Sequence, residues 1–245
     1  MQTNGRIMQD LNEFKEFLRD KRVILVGNNL TALERKQKNV IDSYDVVIRL
    51  GKGIIQGWEE YIGYKTDVWA TGSFRSSMRS LLDDDVITLY NVGGTHNNKN
   101  KPNFPFIQMH SWEEVCDLST KYTGDWEYCR LSNGAVTAHW LYHNVGTFKQ
   151  LDFINFDFFQ VSCKFFDTHN KCEQLTNSWH LPLTPPAVMH KGTECNSSHD
   201  PDAEKAVFKE ILADPRCNII NYKEEEPRLM DVKQAAWDQG RIPIK

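Results

Sequence analysis

The chain has 245 residues, 40% of them hydrophobic and 25% charged, so it can bury one sizeable core. Its formal net charge of -4 gives no overall attraction to nucleic acid or to an anionic membrane, although a local basic patch is compatible with that sum. We therefore expect one domain spanning residues 1–245.

The beginning of the chain and its cysteines indicate where the protein works. Residues 1–20 are polar and charged and hold no apolar run long enough for a signal peptide or a membrane span. The six cysteines lack the paired spacing of metal ligands, and nothing indicates a secretory context. We expect free thiols, a cytoplasmic protein and no membrane contact; the oligomeric state stays open.

The predicted elements alternate between helix and strand along the chain. Apolar residues at helical spacing between Leu11 and Leu18 predict an N-terminal helix within residues 1–20. Short runs rich in β-branched and aromatic residues predict strands at Val23–Val26, Val46–Leu50, Val68–Ala70, Val86–Tyr90, Phe106–Met109, Leu151–Phe156 and Asn218–Tyr222. Helical patterns lie between them at Phe74–Leu82, Trp112–Thr120, Ala135–Asn144 and Asp202–Leu212. This alternation predicts an α/β, Rossmann-like domain with a mainly parallel sheet flanked by helices.

Two long segments rich in Pro, Gly and Asn predict surface loops. One runs from Asn91 to Pro105 and the other from Ser178 to Ser198. Loops of this length in compact domains are commonly functional lids or are disordered. Because residues 178–198 lead directly to His199, we expect them to form a lid over an active site.

The first predicted strand ends in Gly27, Asn28 and Asn29. In open α/β sheets, ligands bind beyond the carboxyl ends of the strands. Glycine allows the backbone to approach a ligand closely, and the two amides offer donors and acceptors to a nucleotide or sugar. A tight turn after a buried strand would use the same residues.

A second candidate site, Ser132, Asn133 and Gly134, precedes a helical pattern. Backbone amides and the positive end of the helix dipole would face a phosphate held there, although the same residues suit an ordinary helix cap. The helix carries His139 and His143 one turn apart, but no carboxylate occupies the position it has in an HExxH motif. We expect two structural histidines and no metal.

The third candidate is His199, which lies five residues before Glu204. Asp200, Pro201 and Asp202 between them favour the start of a helix. A neutral imidazole held there can accept a proton from a hydroxyl, and Glu204 would order the helix start or orient the ring. The alternative is a histidine paired with Glu204 for structural reasons or simply exposed.

In order and separation, these three segments resemble the large, small and very small sialylmotifs of the sialyltransferases, glycosyltransferase family 29. The resemblance implies the GT-A-like fold variant of those enzymes, a CMP-linked sugar donor, an inverting reaction, and no metal or other cofactor. It makes His199 the catalytic base and assigns donor contacts to Gly27, Asn28, Asn29, Arg49, Ser132, Asn133, Gly134 and Asp157. Trp179-His180 resembles the motif whose histidine binds the donor phosphate, and His190 competes for that role.

The chain departs from the family pattern at three places. Gly51 stands where the family usually has a donor-contacting asparagine, Asn133 replaces a threonine, and Asn155 replaces the glycine of a Gly-Phe-Asp sequence. The cysteines that join the first two motifs in animal enzymes are also absent. This favours an intracellular enzyme of viral or bacterial origin and leaves the donor base open.

The sequence thus predicts an inverting, metal-independent glycosyltransferase acting on a glycan or small acceptor. One alternative is a phage-type DNA glycosyltransferase that modifies hydroxymethylcytosine. Scattered basic residues could then track phosphates; they are Arg35, Lys36, Lys38, Arg75, Arg79, Lys99 and Lys101. A second alternative is a non-catalytic nucleotide-binding module.

Overall fold

The computed structural model describes residues 10–51, 55, 58–72, 82–91, 104–126, 129–158, 161–163, 198–223 and 228–230. The helices are α1 (Leu11–Leu18), α2 (Lys38–Ile41), α3 (Glu59–Ile62), α4 (Trp112–Thr123), α5 (Asn133–Trp140) and α6 (Pro201–Ile211). The strands are β1 (Arg22–Val26), β2 (Val46–Leu50), β3 (Val68–Thr71), β4 (Ile87–Tyr90), β5 (Ile107–Gln108), β6 (Cys129–Arg130), β7 (Gln150–Ile154), β8 (Val161–Cys163), β9 (Ser198–His199), β10 (Cys217–Ile220) and β11 (Arg228–Met230). A 3-10 turn covers Leu30–Glu34, and a π turn at Leu141–Val145 continues α5.

Seven strands form one parallel sheet in the order β10-β7-β1-β2-β3-β4-β5. Two short parallel pairs, β6 with β9 and β8 with β11, lie apart from it. From β1 the chain builds the sheet outward through β2 to β5, and β7 and β10 then extend it on the other side of β1. The order therefore reverses between β1 and β7, and at such a switch point ligands bind at the carboxyl ends of the strands. The predicted parallel α/β architecture is confirmed.

Helices cover both faces of the sheet, so its central strands read as continuous apolar runs. All five residues of β2 are buried. The helix predicted within residues 1–20 is α1, which buries Phe14 and Leu18; the ring of Phe14 lies 5.9 Å from that of Trp140. On α6, Phe208 packs against Phe153 of β7 with ring centroids 4.9 Å apart.

Side-chain caps fix where the longer helices begin. Ser111 and Glu114 form a reciprocal capping box at α4. Asp200 caps α6 by accepting hydrogen bonds from the backbone of Asp202 and Ala203. The predicted helices at Trp112–Thr120, Ala135–Asn144 and Asp202–Leu212 are thus present with small shifts of their ends.

Parts of several predictions lie outside the described residues. They are most of the helical pattern at Phe74–Leu82, residues 92–103 of the first loop, and residues 178–197 of the proposed lid. Within the described part of the chain, no helix is long and apolar enough to span a membrane. Cys116 and Cys217 are free thiols.

Candidate active site

The turns that follow β1 and β7 are in direct contact at the carboxyl edge of the sheet. The backbone N–H of Gly27 donates to the carbonyl of Ile154 at 2.8 Å. A Cβ on Gly27 would collide with the backbone carbonyl of Asn155. Glycine is therefore required here for the close approach of two segments of the chain, and this approach joins the first motif to the turn after β7.

Asn28 and Asn29 are both oriented by hydrogen bonds within the fold. Asn28 Nδ2 donates to the carbonyl of Leu50 at 2.9 Å, which ties the turn after β1 to the end of β2. Asn29 Oδ1 accepts from the backbone N–H of Thr31 at 2.7 Å and caps the 3-10 turn. The two side-chain amides are thus held at the switch point in defined orientations. In each amide, one polar atom makes a hydrogen bond within the protein.

The N-terminus of α5 lies over the carboxyl ends of several strands. Ser132 is the predicted cap, since its Oγ accepts from the backbone N–H of Ala135 at 3.2 Å. Asn133 anchors the helix start: its Nδ2 donates to the carbonyl of Ala70 at 3.3 Å, and its Oδ1 accepts from Asn91 at 3.1 Å. Gly134 is buried, and a Cβ there would approach the Phe156 ring to 2.9 Å. The positive end of this helix therefore faces the edge of the sheet where the motifs meet.

His199 lies in β9, just before α6, rather than within the helix itself. Its backbone pairs with Arg130 of β6, and its Nδ1 lies 2.9 Å from the Arg130 carbonyl oxygen. Because a carbonyl only accepts hydrogen bonds, Nδ1 carries the proton in this contact. The neutral ring then has its basic lone pair on Nε2, which is the tautomer that a general base needs.

Glu204 joins the helix that follows His199 to the cap of α5. Its Oε1 accepts from the Ser132 backbone N–H at 2.6 Å, and its Oε2 accepts from Ser132 Oγ at 2.9 Å. The residue is 3% exposed. Burial raises the pKa of this carboxyl, while the nearby His199 and the bonds from Ser132 lower it. Glu204 therefore holds the second and third motifs together, a role beyond the ordering of one helix that the sequence predicted.

Arg49, which the resemblance assigns to the donor, has its side chain enclosed in the scaffold around β2. It is 2% exposed. Its guanidinium donates to the carbonyls of Ile62 at 2.8 Å and Lys65 at 3.0 Å and to Thr66 Oγ1 at 3.0 Å. Burial lowers its pKa to about 10, so it stays charged at neutral pH. A side chain enclosed in this way ties β2 to the chain after α3.

Asp157 lies beside a surface pocket at the carboxyl ends of β1, β7 and β10. The side chain is buried, with the residue 6% exposed. The pocket is lined by Thr31, Glu34, Arg35, Gln37, Asn155, Phe156, Asp157, Ile220, Asn221, Tyr222 and Lys223. The sequence did not single out the lining residues after β10, because no motif marks them. His180 and His190, the two candidates for the donor phosphate, lie outside the described residues.

The sequence and the fold were compared with known proteins. The family model described as glycosyltransferase family 29 (sialyltransferase) matches residues 6–93, which contain the first motif. Among curated proteins, none matches the chain.

Two solved structures of a mammalian sialyltransferase share the fold. One is a complex with Gal-beta-1-3GalNAc-ortho-nitrophenol, with a TM-score of 0.50 over 88% of this chain and 75% of that one. The other has a TM-score of 0.51 over 88% of this chain and 74% of that one. Both are 18% identical to this chain. The family match over residues 6–93 and the shared fold agree with the resemblance found in the motifs: the first part of the chain matches the sialyltransferase family model, and the chain has the fold of a mammalian sialyltransferase.

Proposed function

We propose that the protein transfers a sugar from a CMP-linked donor to an acceptor hydroxyl, with inversion at the anomeric carbon and without a metal ion. The observation that carries the proposal is the pair of hydrogen bonds from Ser132 to Glu204. They fix the N-terminus of α5, which suits a phosphate, next to the segment that presents His199. An anion site and an oriented base are thus held together at the switch point.

The donor phosphate would rest on backbone amides at the start of α5. The Ala135 amide bonds to the Ser132 side chain and the Val136 amide to the Ser132 carbonyl. The amides of Asn133 and Gly134 are therefore the ones that an anion at this terminus would meet. Together with the helix dipole, they would stabilise the negative charge that develops on the departing phosphate.

His199 would serve as the general base on the opposite reactant. The acceptor oxygen attacks the anomeric carbon, its proton passes to His199 Nε2, and the bond from that carbon to the phosphate oxygen breaks with its electron pair on the oxygen. The Arg130 carbonyl keeps the ring in the required tautomer and orientation. His180 or His190 would assist departure of the phosphate.

We propose a glycan or a small glycoside as the acceptor. A mammalian sialyltransferase of this fold has been solved with a disaccharide glycoside. The net charge of -4 disfavours a DNA acceptor, whose binding rests largely on basic residues at phosphates. Of the basic residues considered for DNA, Lys38 pairs with Glu60 at 3.2 Å, while Arg75, Arg79, Lys99 and Lys101 lie outside the described residues.

Substitution of His199 tests the proposed base. We expect His199→Ala to lower kcat by about 10²-fold or more while CMP binding stays close to that of the wild type. His199→Gln is the matched variant: its amide N–H can still donate to the Arg130 carbonyl, but it has no basic nitrogen, so it should lose the same activity. Steady-state kinetics with a CMP-sugar and calorimetric binding of CMP provide the two readouts. Turnover near the wild-type level at saturating acceptor would refute the role of His199.

A further inference from the structure

A cluster of histidine and glutamate lies at the ends of α5 and α6 that point away from His199. His139 lies in the last turn of α5, His143 lies in the π turn that continues it, and Glu210 lies in the last turn of α6. Ser132 and Glu204 join the opposite ends of the same helices. With a rise of about 1.5 Å per residue, His139 is roughly 10 Å along the helix from Ser132. The cluster is therefore separate from the proposed reaction site.

The three side chains already converge. His143 Nε2 lies 2.9 Å from Glu210 Oε1, and the rings of His139 and His143 are 4.2 Å apart between centroids. One potential ligand atom from each residue lies within 4.8 Å of the others. Two imidazoles and one carboxylate on helices are a ligand set that binds zinc, with water in the fourth position.

Neighbouring side chains orient the carboxylate of Glu210. Tyr122 Oη donates to Glu210 Oε2 at 2.5 Å, and Lys121 Nζ donates to the same oxygen at 3.3 Å. The other oxygen, Oε1, is the one directed at His143. Ligating carboxylates in metal sites are characteristically held by outer hydrogen bonds of this kind.

His139 contributes a nitrogen that the fold itself leaves unused. Among the described residues, its buried Nδ1 has no hydrogen-bond partner. A ring nitrogen that carries no proton has a lone pair that can bind a cation. A buried nitrogen without a partner costs free energy, and a bound ion would hold the ring in a productive orientation. π turns are frequent at functional sites.

We propose that His139, His143 and Glu210 bind a divalent cation of the zinc class, which joins the C-terminal ends of α5 and α6. Two imidazole ligands favour zinc and its neighbours in the first transition series over magnesium or calcium, which prefer sets of oxygen ligands. The sequence did not reveal the site because the carboxylate comes from a helix distant along the chain. The ion has no part in the transfer reaction, so the site is independent of the proposed function.

Zinc titration of the full-length, chelator-treated protein tests the site. Competition against a chromogenic chelator measures affinity, and thermal unfolding with and without zinc measures the stabilisation that binding gives. We expect one tight zinc ion per chain and a higher Tm in its presence. His143→Gln and Glu210→Gln should each weaken binding by about tenfold or more, because even the loss of an outer hydrogen bond has that effect.

Two variants at partly exposed ligands and one control variant distinguish loss of zinc binding from loss of folding. The side chains of His143 and Glu210 are 37% and 38% exposed, so their replacement leaves the core intact. Glu113→Gln, which changes an exposed carboxylate on α4, should bind zinc like the wild type. Equal zinc affinity in all four proteins would place the ion elsewhere, and folded wild type without zinc binding would reduce the cluster to a His143–Glu210 contact. Either result would overturn the proposal, and neither requires donor or acceptor.

Discussion

At the scale of single residues, two departures from the family pattern are explained by backbone conformation. Gly51 has φ +56° and Asn155 has φ +62°. The resemblance places asparagine at the first position and glycine at the second. These two residue types tolerate the left-handed region best, so each exchange preserves the turn. At Gly51 the exchange removes the side-chain amide that the family has at this position, while the turn itself is kept.

Restoring that amide tests which donor the protein uses. We expect Gly51→Asn to lower KM for a CMP-sugar by roughly two- to tenfold, the effect of one net hydrogen bond. Gly51→Ala is the control, because it adds a side chain without an amide and should leave KM unchanged while destabilising the left-handed turn by about 1 kcal/mol. The kinetics are to be measured for both variants alongside chemical unfolding. An equal fall in KM for both, or a rise for asparagine, would argue against a nucleotide contact at this position.

Arg49 marks a limit of inference at the residue scale. Its place in an apolar run shows that the segment is a buried strand, and β2 confirms this. The spacing does not show what the guanidinium will contact, because its partners, including the carbonyls of Ile62 and Lys65, are set by tertiary packing. Backbone carbonyls carry no sequence signature. The same applies to the Arg130 carbonyl that orients His199.

At the scale of secondary-structure elements, burial decides what the sequence reveals. Strand β2 lies at the predicted residues, since a strand buried on both faces is a mostly apolar run, here interrupted only by Arg49. The strand predicted at Leu151–Phe156 instead ends at Ile154, because Asn155 turns the chain with a positive φ. The pair β6 and β9 was not predicted. Strands of two residues have no periodicity, and this pair exists only through the packing that brings His199 to Arg130.

The contact between α5 and α6 leads to a prediction about pH. Burial raises the pKa of Glu204 above its ordinary value of 4.5. A carboxyl with a raised folded-state pKa favours folding in its protonated form, so its contribution to stability declines as pH rises from the unfolded pKa through the folded one. Glu204→Gln lacks this titration. The stability of Glu204→Gln relative to the wild type should therefore increase as pH rises from about 4 towards neutrality.

Urea unfolding across that pH range measures the effect. Glu114→Gln is a suitable control, because Glu114 is also hydrogen-bonded at a helix start but is exposed. Its difference from the wild type should not show this rise. A constant difference for Glu204→Gln would mean that the hydrogen bonds from Ser132 and the charge of His199 offset the cost of burial in full.

At the scale of the whole molecule, the sheet brings together motifs that are distant in sequence. The alternation of elements was sufficient to predict parallel strands. The contacts of Gly27 with Ile154 and of Glu204 with Ser132 show how packing then joins the turns after β1 and β7, and the starts of α5 and α6. The alternation was not sufficient to predict the strand order. Nor could it place Glu210 beside His143, because separate helices meet only through the packed core.

The same two helices give one last prediction, which separates catalysis from stability. At one end of α5 and α6 lie Ser132, Glu204 and the segment of His199. We propose that sugar transfer takes place there without a metal ion. At the other end lie His139, His143 and Glu210, where zinc is proposed to bind. We expect complete chelation with EDTA to leave kcat unchanged well below the unfolding temperature, since the donor phosphate is proposed to rest on backbone amides. The same treatment should lower Tm, because it removes an ion that binds only the folded state. Initial rates and thermal unfolding of the same EDTA-treated sample measure both. Loss of turnover that manganese or magnesium restores would contradict the metal-free mechanism, whereas an unchanged Tm would contradict the zinc site and leave the mechanism intact.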